Sequence, residues 1–261
     1  MNINGLTLIA GLLVTTPAMA REFCPERPGQ TTPPCTVARG EALTEVGLID
    51  WSLEQNPDSR TDTVTLGQTA LRVGIADHAE VAVAWTPLAT QRLRDKVNGA
   101  VIRQSGVGDV TVAVKRSFGD ADDPKVALKA FVTLPVGTEP AGGGDWSAGV
   151  LLPVALPVTK GIEFTLTPEI DAVTDQNGDG HHIAYGSAGG LEFKLSDAVS
   201  LSGDAKVMRD DDPAGATTTA AAGTSIAFQP GKRVQFDMGG NFGLNNDTPD
   251  VEFYVGVAVG F

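Results

Sequence analysis

The sequence predicts an all-β protein: a transmembrane, antiparallel, up-and-down β-barrel of about twelve strands filling residues 42–261. Three observations predict it. The chain ends on Asp250-Val-Glu-Phe-Tyr-Val-Gly-Val-Ala-Val-Gly-Phe261, in which Val251, Phe253, Val255, Val257, Val259 and Phe261 form one apolar parity and Glu252, Tyr254, Gly256, Ala258 and Gly260 a small or polar one. Such period-two alternation puts one face of a strand in an apolar medium and the other in a wet one. A long terminal strand of this kind is an aggregation-prone edge unless it pairs with the first strand and closes the sheet. Upstream, the same pattern recurs in runs of roughly ten residues, and the charged side chains stay on one parity. Finally, short turns alternate with longer acidic or Gly-rich loops, as the two ends of an outer-membrane barrel require.

The first element is an export signal over residues 1–20. Leu6 to Val14 is a short apolar core, and Ala18-Met-Ala20 is a small-x-small cleavage site before Arg21. Residues 21–41, with Pro25, Pro28, Pro33 and Pro34, read as a non-regular segment. It holds the only cysteines, Cys24 and Cys35, and an oxidising compartment turns them into one short disulfide loop, which we place in the periplasm.

The first strand-like run is Ala42 to Glu54 and the second Thr63 to Ile75, with Leu71, Val73 and Ile75 on one parity. A tight turn leads to the third, where Ala79, Val81, Val83 and Trp85 alternate with Glu80 and Ala82. Pro87 to Gly106 reads as a long connection carrying Arg92, Arg94, Lys96 and Arg103, with room for a short helix from Arg92 to Val101. The fourth run sets Val110, Val112 and Val114 against Lys115, and the fifth Val126, Leu128, Val132 and Leu134 against Lys129. In the sixth, Trp146, Ala148, Val150, Leu152, Val154 and Leu156 share a face. The seventh opposes Ile162, Phe164, Leu166 and Ile170 to Glu163, Glu169 and Asp171, and the eighth opposes Leu191 and Phe193 to Glu192 and Lys194. The ninth has Val199, Leu201 and Val207 against Asp204 and Lys206; the tenth, Ala216 to Phe228, is rich in Thr and Ala. Val234, Phe236 and Met238 face away from Asp237 in the eleventh, and the twelfth is the terminal strand with Glu252.

The inward parity thus carries Glu80, Lys115, Lys129, Glu163, Glu169, Asp171, Glu192, Lys194, Asp204, Lys206, Asp237 and Glu252. On the lipid face a mid-membrane Lys or Arg costs about 2–4 kcal/mol, and the outward parity is almost free of charge, Arg116 near a strand end excepted. A formal net charge of −13 and a pI near 4.5 argue against nucleic acid as a partner. Beyond the signal, no stretch reaches the roughly 20 apolar residues of a membrane helix.

The closing hairpin resembles a known family. Asp237-x-Gly239-x-Asn241-x-Gly243-Leu244-Asn245, then Thr248-Pro249-Asp250 and the terminal Phe261, are similar to the last hairpin of the outer-membrane family labelled "MetA-pathway of phenol degradation". Gly106-Val-Gly-Asp109, Leu134-Pro-x-Gly137 and Arg209-Asp-Asp-Asp-Pro213 look similar too, so the likeness covers the last 150 residues or so and the first strands weakly. Members commonly end in Arg-Phe, whereas Gly260 precedes Phe261 here. The resemblance implies a bacterial outer-membrane transporter of small, aromatic or hydrophobic molecules, with Phe261 as the signal read by the barrel-assembly machinery.

From the residues, Glu163, Glu169 and Asp171 beside Glu192, Lys194, Asp204 and Lys206 are either a polar constriction that selects solutes or a salt-bridged plug. The basic cluster Arg92, Arg94, Lys96 and Arg103 either folds into the lumen, binds the phosphates of lipopolysaccharide at the outer rim, or is a solvated loop. Asp175-x-Asn177-x-Asp179-Gly180 copies the start of a calcium loop, but Gly186 stands where the closing carboxylate is needed, so an acidic turn is expected. His181 and His182 point to opposite faces and cannot jointly hold a metal. A hydrolase needs Ser and His together, and neither His182 nor His78 has Ser187 or Ser105 at a convincing spacing. We therefore expect no catalytic residues, cofactor or metal ligands. The preferred function is a narrow channel for small solutes; the alternative is a non-transporting barrel whose loops engage lipopolysaccharide or a partner.

Overall fold

A computed structural model describes residues 23–120, 123–178 and 180–261; the expected export signal lies outside them. Fifteen strand segments form one antiparallel sheet. They are β1 (Ala42–Gln55), β2 (Ser59–Ala76), β3 (Ala79–Trp85), β4 (Leu88–Asp95), β5 (Val101–Gly106), β6 (Val110–Gly119), β7 (Pro124–Leu134) and β8 (Ser147–Leu151). They continue with β9 (Val154–Thr159), β10 (Ile162–Thr174), β11 (His181–Lys194), β12 (Val199–Asp210), β13 (Thr217–Gly231), β14 (Val234–Gly243) and β15 (Val251–Gly260).

Three pairs of segments are single strands broken by a local irregularity, which makes twelve around the barrel. Long β2 pairs with β3 along its second half and with β4 along its first. The break at Thr86-Pro87 faces Gly67, whose φ of +70° is a left-handed conformation open to glycine, and a Cβ there would press on the Pro87 ring. β5 and β6 continue one another in the same way, as do β8 and β9 around Pro153, which has no N–H to give the ladder. The sheet closes where β15 pairs with β1, from Leu43↔Gly260 to Leu53↔Val251, so the edge that the terminal strand would leave does not exist.

The barrel is apolar outside. Leu128, Val150, Leu166, Ile170, Leu201, Phe236, Met238 and Phe253 all stand exposed on the outer face, the arrangement stable only in lipid. Inside, the buried apolar residues are mostly small, among them Ala113, Ala127, Ala155, Ala184, Ala188, Ala227 and Ala258, while Arg72, Glu80 and Lys115 are fully covered. Both ends of the barrel sequence lie at the rim with the shorter turns, Asp77-His78, Lys160-Gly161 and Lys232-Arg233, and that rim is the periplasmic one. No helix among the described residues is long and apolar enough to cross a membrane.

Two expectations need correction. Pro87 to Gly106 is not a loop with a helix: β4 and β5 form a hairpin that extends the third and fourth strands, paired from Ala89↔Gly106 to Arg94↔Val101. Outside lipid these segments need no apolar alternation, so nothing in the pattern marked them as strands. The disulfide loop does not lie in the periplasm either. It is inside the barrel.

Candidate functional site

Cys24 and Cys35 are bridged, and the segment they enclose crosses the lumen in its periplasmic half. Glycines of the wall make room for it and for the residues that follow: a Cβ on Gly256 would strike the Arg27 guanidinium, and one on Gly74 the backbone of Val37 and Ala38.

Charge holds the segment there. Arg72 of β2, with its side chain 1% exposed, donates from Nε and Nη2 to Glu80 at 2.9 Å each, and from Nη1 to Glu45 at 2.8 Å and to the Cys24 carbonyl at 2.7 Å. Glu45 in turn accepts the backbone N–H of Arg27 at 2.9 Å, and Glu80 that of Val37 at 2.7 Å. Glu26 then reaches Lys115 at 2.9 Å and Lys129 at 2.6 Å. The wall groups alone are three cations (Arg72, Lys115, Lys129) against two anions (Glu45, Glu80); Glu26 balances them. Burial would raise the Glu26 carboxyl, but the charges of Lys115, Arg72 and Lys129 hold it well below the ordinary glutamate value.

Across the lumen, Arg27 pairs with Asp237 of β14 at 2.9 Å and lies over the Tyr254 ring, 5.4 Å from its centre. Gln235 donates to the Arg27 carbonyl at 2.8 Å. Gly29 N–H meets the Tyr254 hydroxyl at 3.1 Å, Gln30 Nε2 donates to Asp204 at 2.7 Å, and Thr32 N–H meets Thr167 Oγ1 at 3.0 Å. The segment is anchored to opposite walls.

The inward candidates read from the sequence do not form one constriction. Glu80, Lys115, Lys129, Asp204 and Asp237 hold the N-terminal segment. Glu163 and Glu192 are cross-strand partners near the periplasmic rim, with Lys194 beyond them. Glu169 pairs with Lys206 at 2.9 Å, six residues up β10 from Glu163, which is about 20 Å along the strand. Asp171 and Glu252 lie on that outer half as well, where Asn241 donates to Glu252 at 2.7 Å. Sequence reasoning missed Glu26, Arg27, Glu45 and Arg72, the centre of the assembly. Their signal was present but faint: a Glu-Arg pair inside a disulfide loop, and an Arg on the inward parity of the second strand.

Between this segment and the β10–β13 wall lies a cavity of about 800 Å³, lined by Arg27, Glu163, Glu192, Lys194, Asp204 and Gln235 among others, and reaching the periplasmic turns at Lys160 and Asp197. The basic candidates lie elsewhere. Arg92 and Arg94 of β4, Arg103 opposite Arg92 on β5, and Arg60 of β2 share one face of the extended hairpin. Register carries that face down through Val64 to Trp51, whose ring stacks on lipid-facing Phe253, so the arginines point outward. Lys96 is at the tip and donates to the Asn56 carbonyl at 2.6 Å. Asp179 of the calcium-like motif lies outside the described residues. His182 and Ser187 face opposite sides of β11.

A family model described as "Putative MetA-pathway of phenol degradation" matches residues 26–261. Among solved structures, the chain is similar to the COG4313 outer membrane channel from Pseudomonas putida F1, with a TM-score of 0.72 and 14% identity over 90% of this chain and 99% of that one. It is also similar to the β domain of the Bordetella autotransporter BrkA, with a TM-score of 0.53 and 11% identity over 85% of this chain and 100% of that one. At such identities the likeness is one of fold, that of outer-membrane barrels. No curated protein sequence matches the chain.

Proposed function

The chain belongs to the family of the putative MetA-pathway of phenol degradation, and on that premise we propose that this outer-membrane barrel is a narrow channel for small solutes, constricted by its own N-terminal loop. The observation that carries the reading is the seated disulfide segment with the 800 Å³ cavity beside it, open toward the periplasmic turns. A twelve-strand barrel lies between those that enclose only side chains and those with an aqueous channel, and the segment narrows it further. Solutes of one or a few rings are of the size such a space takes, and the family description points to aromatic ones. Glu163, Glu192 and Lys194 would set the charge preference of the periplasmic exit.

Planar-bilayer recording and liposome swelling test the reading. The purified protein should give small, stable conductance steps and admit small solutes while excluding oligosaccharides, and Glu163→Gln with Glu192→Gln should lower cation preference. Absence of both conductance and swelling would reject the channel.

The outward arginines favour a second role alongside the first. Arg60, Arg92, Arg94 and Arg103 stand above the apolar belt on the extracellular side, where guanidinium groups pair with the phosphates of lipopolysaccharide. At the opposite rim Phe261 is hydrogen-bonded through its backbone to Ala42 while the residue is 63% exposed, a placement suited to recognition by the assembly machinery.

A further inference from the structure

The extracellular mouth holds a group of side chains that solute passage does not use. His182 is the second residue of β11, Asp175 follows β10, Asp210 ends β12 and Asp212 lies in the loop after it. His182 Nδ1 is 2.8 Å from Asp175 Oδ1 in hydrogen-bonding geometry. Its Nε2 is 2.7 Å from Asp210 Oδ1, yet the orientation makes no hydrogen bond, and this nitrogen is one of the few buried polar atoms among the described residues without such a partner. The His182 side chain is only 7% exposed. One ligand atom each from His182, Asp210 and Asp212 lies within 4.8 Å of the others.

We propose that His182, Asp210 and Asp212 bind one divalent transition-metal ion of the zinc class at the mouth of the barrel. The arrangement of the imidazole is the argument. A histidine that ligates a metal ordinarily donates its other N–H to a carboxylate, which fixes the ring and its tautomer. Asp175 stands in that position, on Nδ1. Nε2 then faces Asp210 Oδ1 at 2.7 Å without hydrogen-bond alignment, and Asp212 Oδ2 lies 3.8 Å from Nδ1 on the other side of the ring. Buried polar atoms left that way are costly, and a cation removes the cost.

Charge points the same way. Three carboxylates surround one imidazole, and Arg209, the cation next to Asp210 in sequence, is engaged with Asp211 at 2.8 Å. A dication neutralises most of the excess. The donor set decides the class: imidazole nitrogen with carboxylate oxygens suits zinc and its first-row neighbours better than magnesium or calcium, which take oxygen alone. Asp210 is 40% exposed, so the ion has a path in from solvent and room for water ligands. Bound there, it ties the β10–β11 connection to the β12–β13 loop. The proposal is independent of what the barrel transports.

The test uses tag-free, full-length protein in detergent, stripped with EDTA and titrated with ZnCl₂ by calorimetry, with Co²⁺ absorption as a second readout. The expected result is one zinc per chain, at least tenfold weaker binding in Asp210→Asn and Asp212→Asn, and none in His182→Ala. His181→Ala, altering the neighbour that stacks on Trp146 at 4.0 Å, should bind as the native chain does. Heat-modifiable migration on gels verifies that each variant is a folded barrel, and the two Asn variants carry the test if His182→Ala does not fold. No zinc binding by the native chain, or equal binding in the His182 and Asp variants, overturns the proposal. So does an imidazole that titrates with its carboxylates but takes no metal.

Discussion

Glu26 Oε2 lies 2.6 Å from Lys129 Nζ, and Glu26 Oε1 lies 2.9 Å from Lys115 Nζ, so one carboxylate of the N-terminal loop bridges two cations of the barrel wall. Residue 26 and residues 115 and 129 are far apart in sequence, and only the loop's entry into the lumen brings them together. Removing one partner of a buried pair costs about 3–5 kcal/mol, because the remaining charge stays buried. Glu26 is itself partly exposed, with 21% of its side chain open, so the loss should sit at or below the low end of that range. Glu26→Gln should lower the thermal unfolding midpoint in detergent and make the conductance noisier. An unchanged midpoint would mean the bridge does not hold the loop.

Acid should have the same effect as that substitution. The folded-state value of Glu26 is depressed, so its contribution is complete above the unfolded value of about 4.5 and is lost as pH falls through the folded value. Conductance should therefore be constant from pH 7 down to about 5 and rise only below the ordinary glutamate range. In Glu26→Gln that acid-induced rise should shrink. A rise between pH 6 and 8 in the native chain would implicate other groups.

The Cys24–Cys35 bridge limits how far the loop can stray when it leaves the wall. Rings of this length contribute about 2–3 kcal/mol through the unfolded chain. Cys24→Ser with Cys35→Ser, or reduction, should leave the barrel intact on gels while increasing proteolysis within 24–36 from the periplasmic side. Equal resistance of both forms would show that the charges alone suffice.

The barrel was legible because lipid imposes a rule that every spanning strand must obey. Leu128, Val132, Ile170, Leu201 and Phe253 fall on the parity that the alternation assigned to lipid, and the charged residues opposite them face inward. Where lipid imposes no rule, the reading failed. Arg92 and Arg94 sit on a strand that projects beyond the membrane, so no apolar partner parity revealed it. In β1 the irregularity between Gly47 and Ile49 moves the outward face from one parity to the other, hiding a regular pattern. The N-terminal loop was illegible for a different reason: Glu26 and Arg27 are satisfied by Lys129 and Asp237, and no local periodicity records pairing at such separation.

The outward arginine patch predicts a dependence on lipopolysaccharide. Arg92→Ala, Arg94→Ala and Arg103→Ala together should reduce co-purifying lipopolysaccharide and its rebinding by severalfold, with the folded fraction unchanged. Retention at the native level would leave the patch as a solvated surface.

The most direct test of the account is single-channel conductance of the intact chain against a chain lacking residues 24–36. If the loop is the constriction, its removal should raise unit conductance severalfold and admit larger solutes in liposome swelling. Equal conductance and the same size limit in both proteins would contradict the placement of the loop in the path, and with it the channel described here.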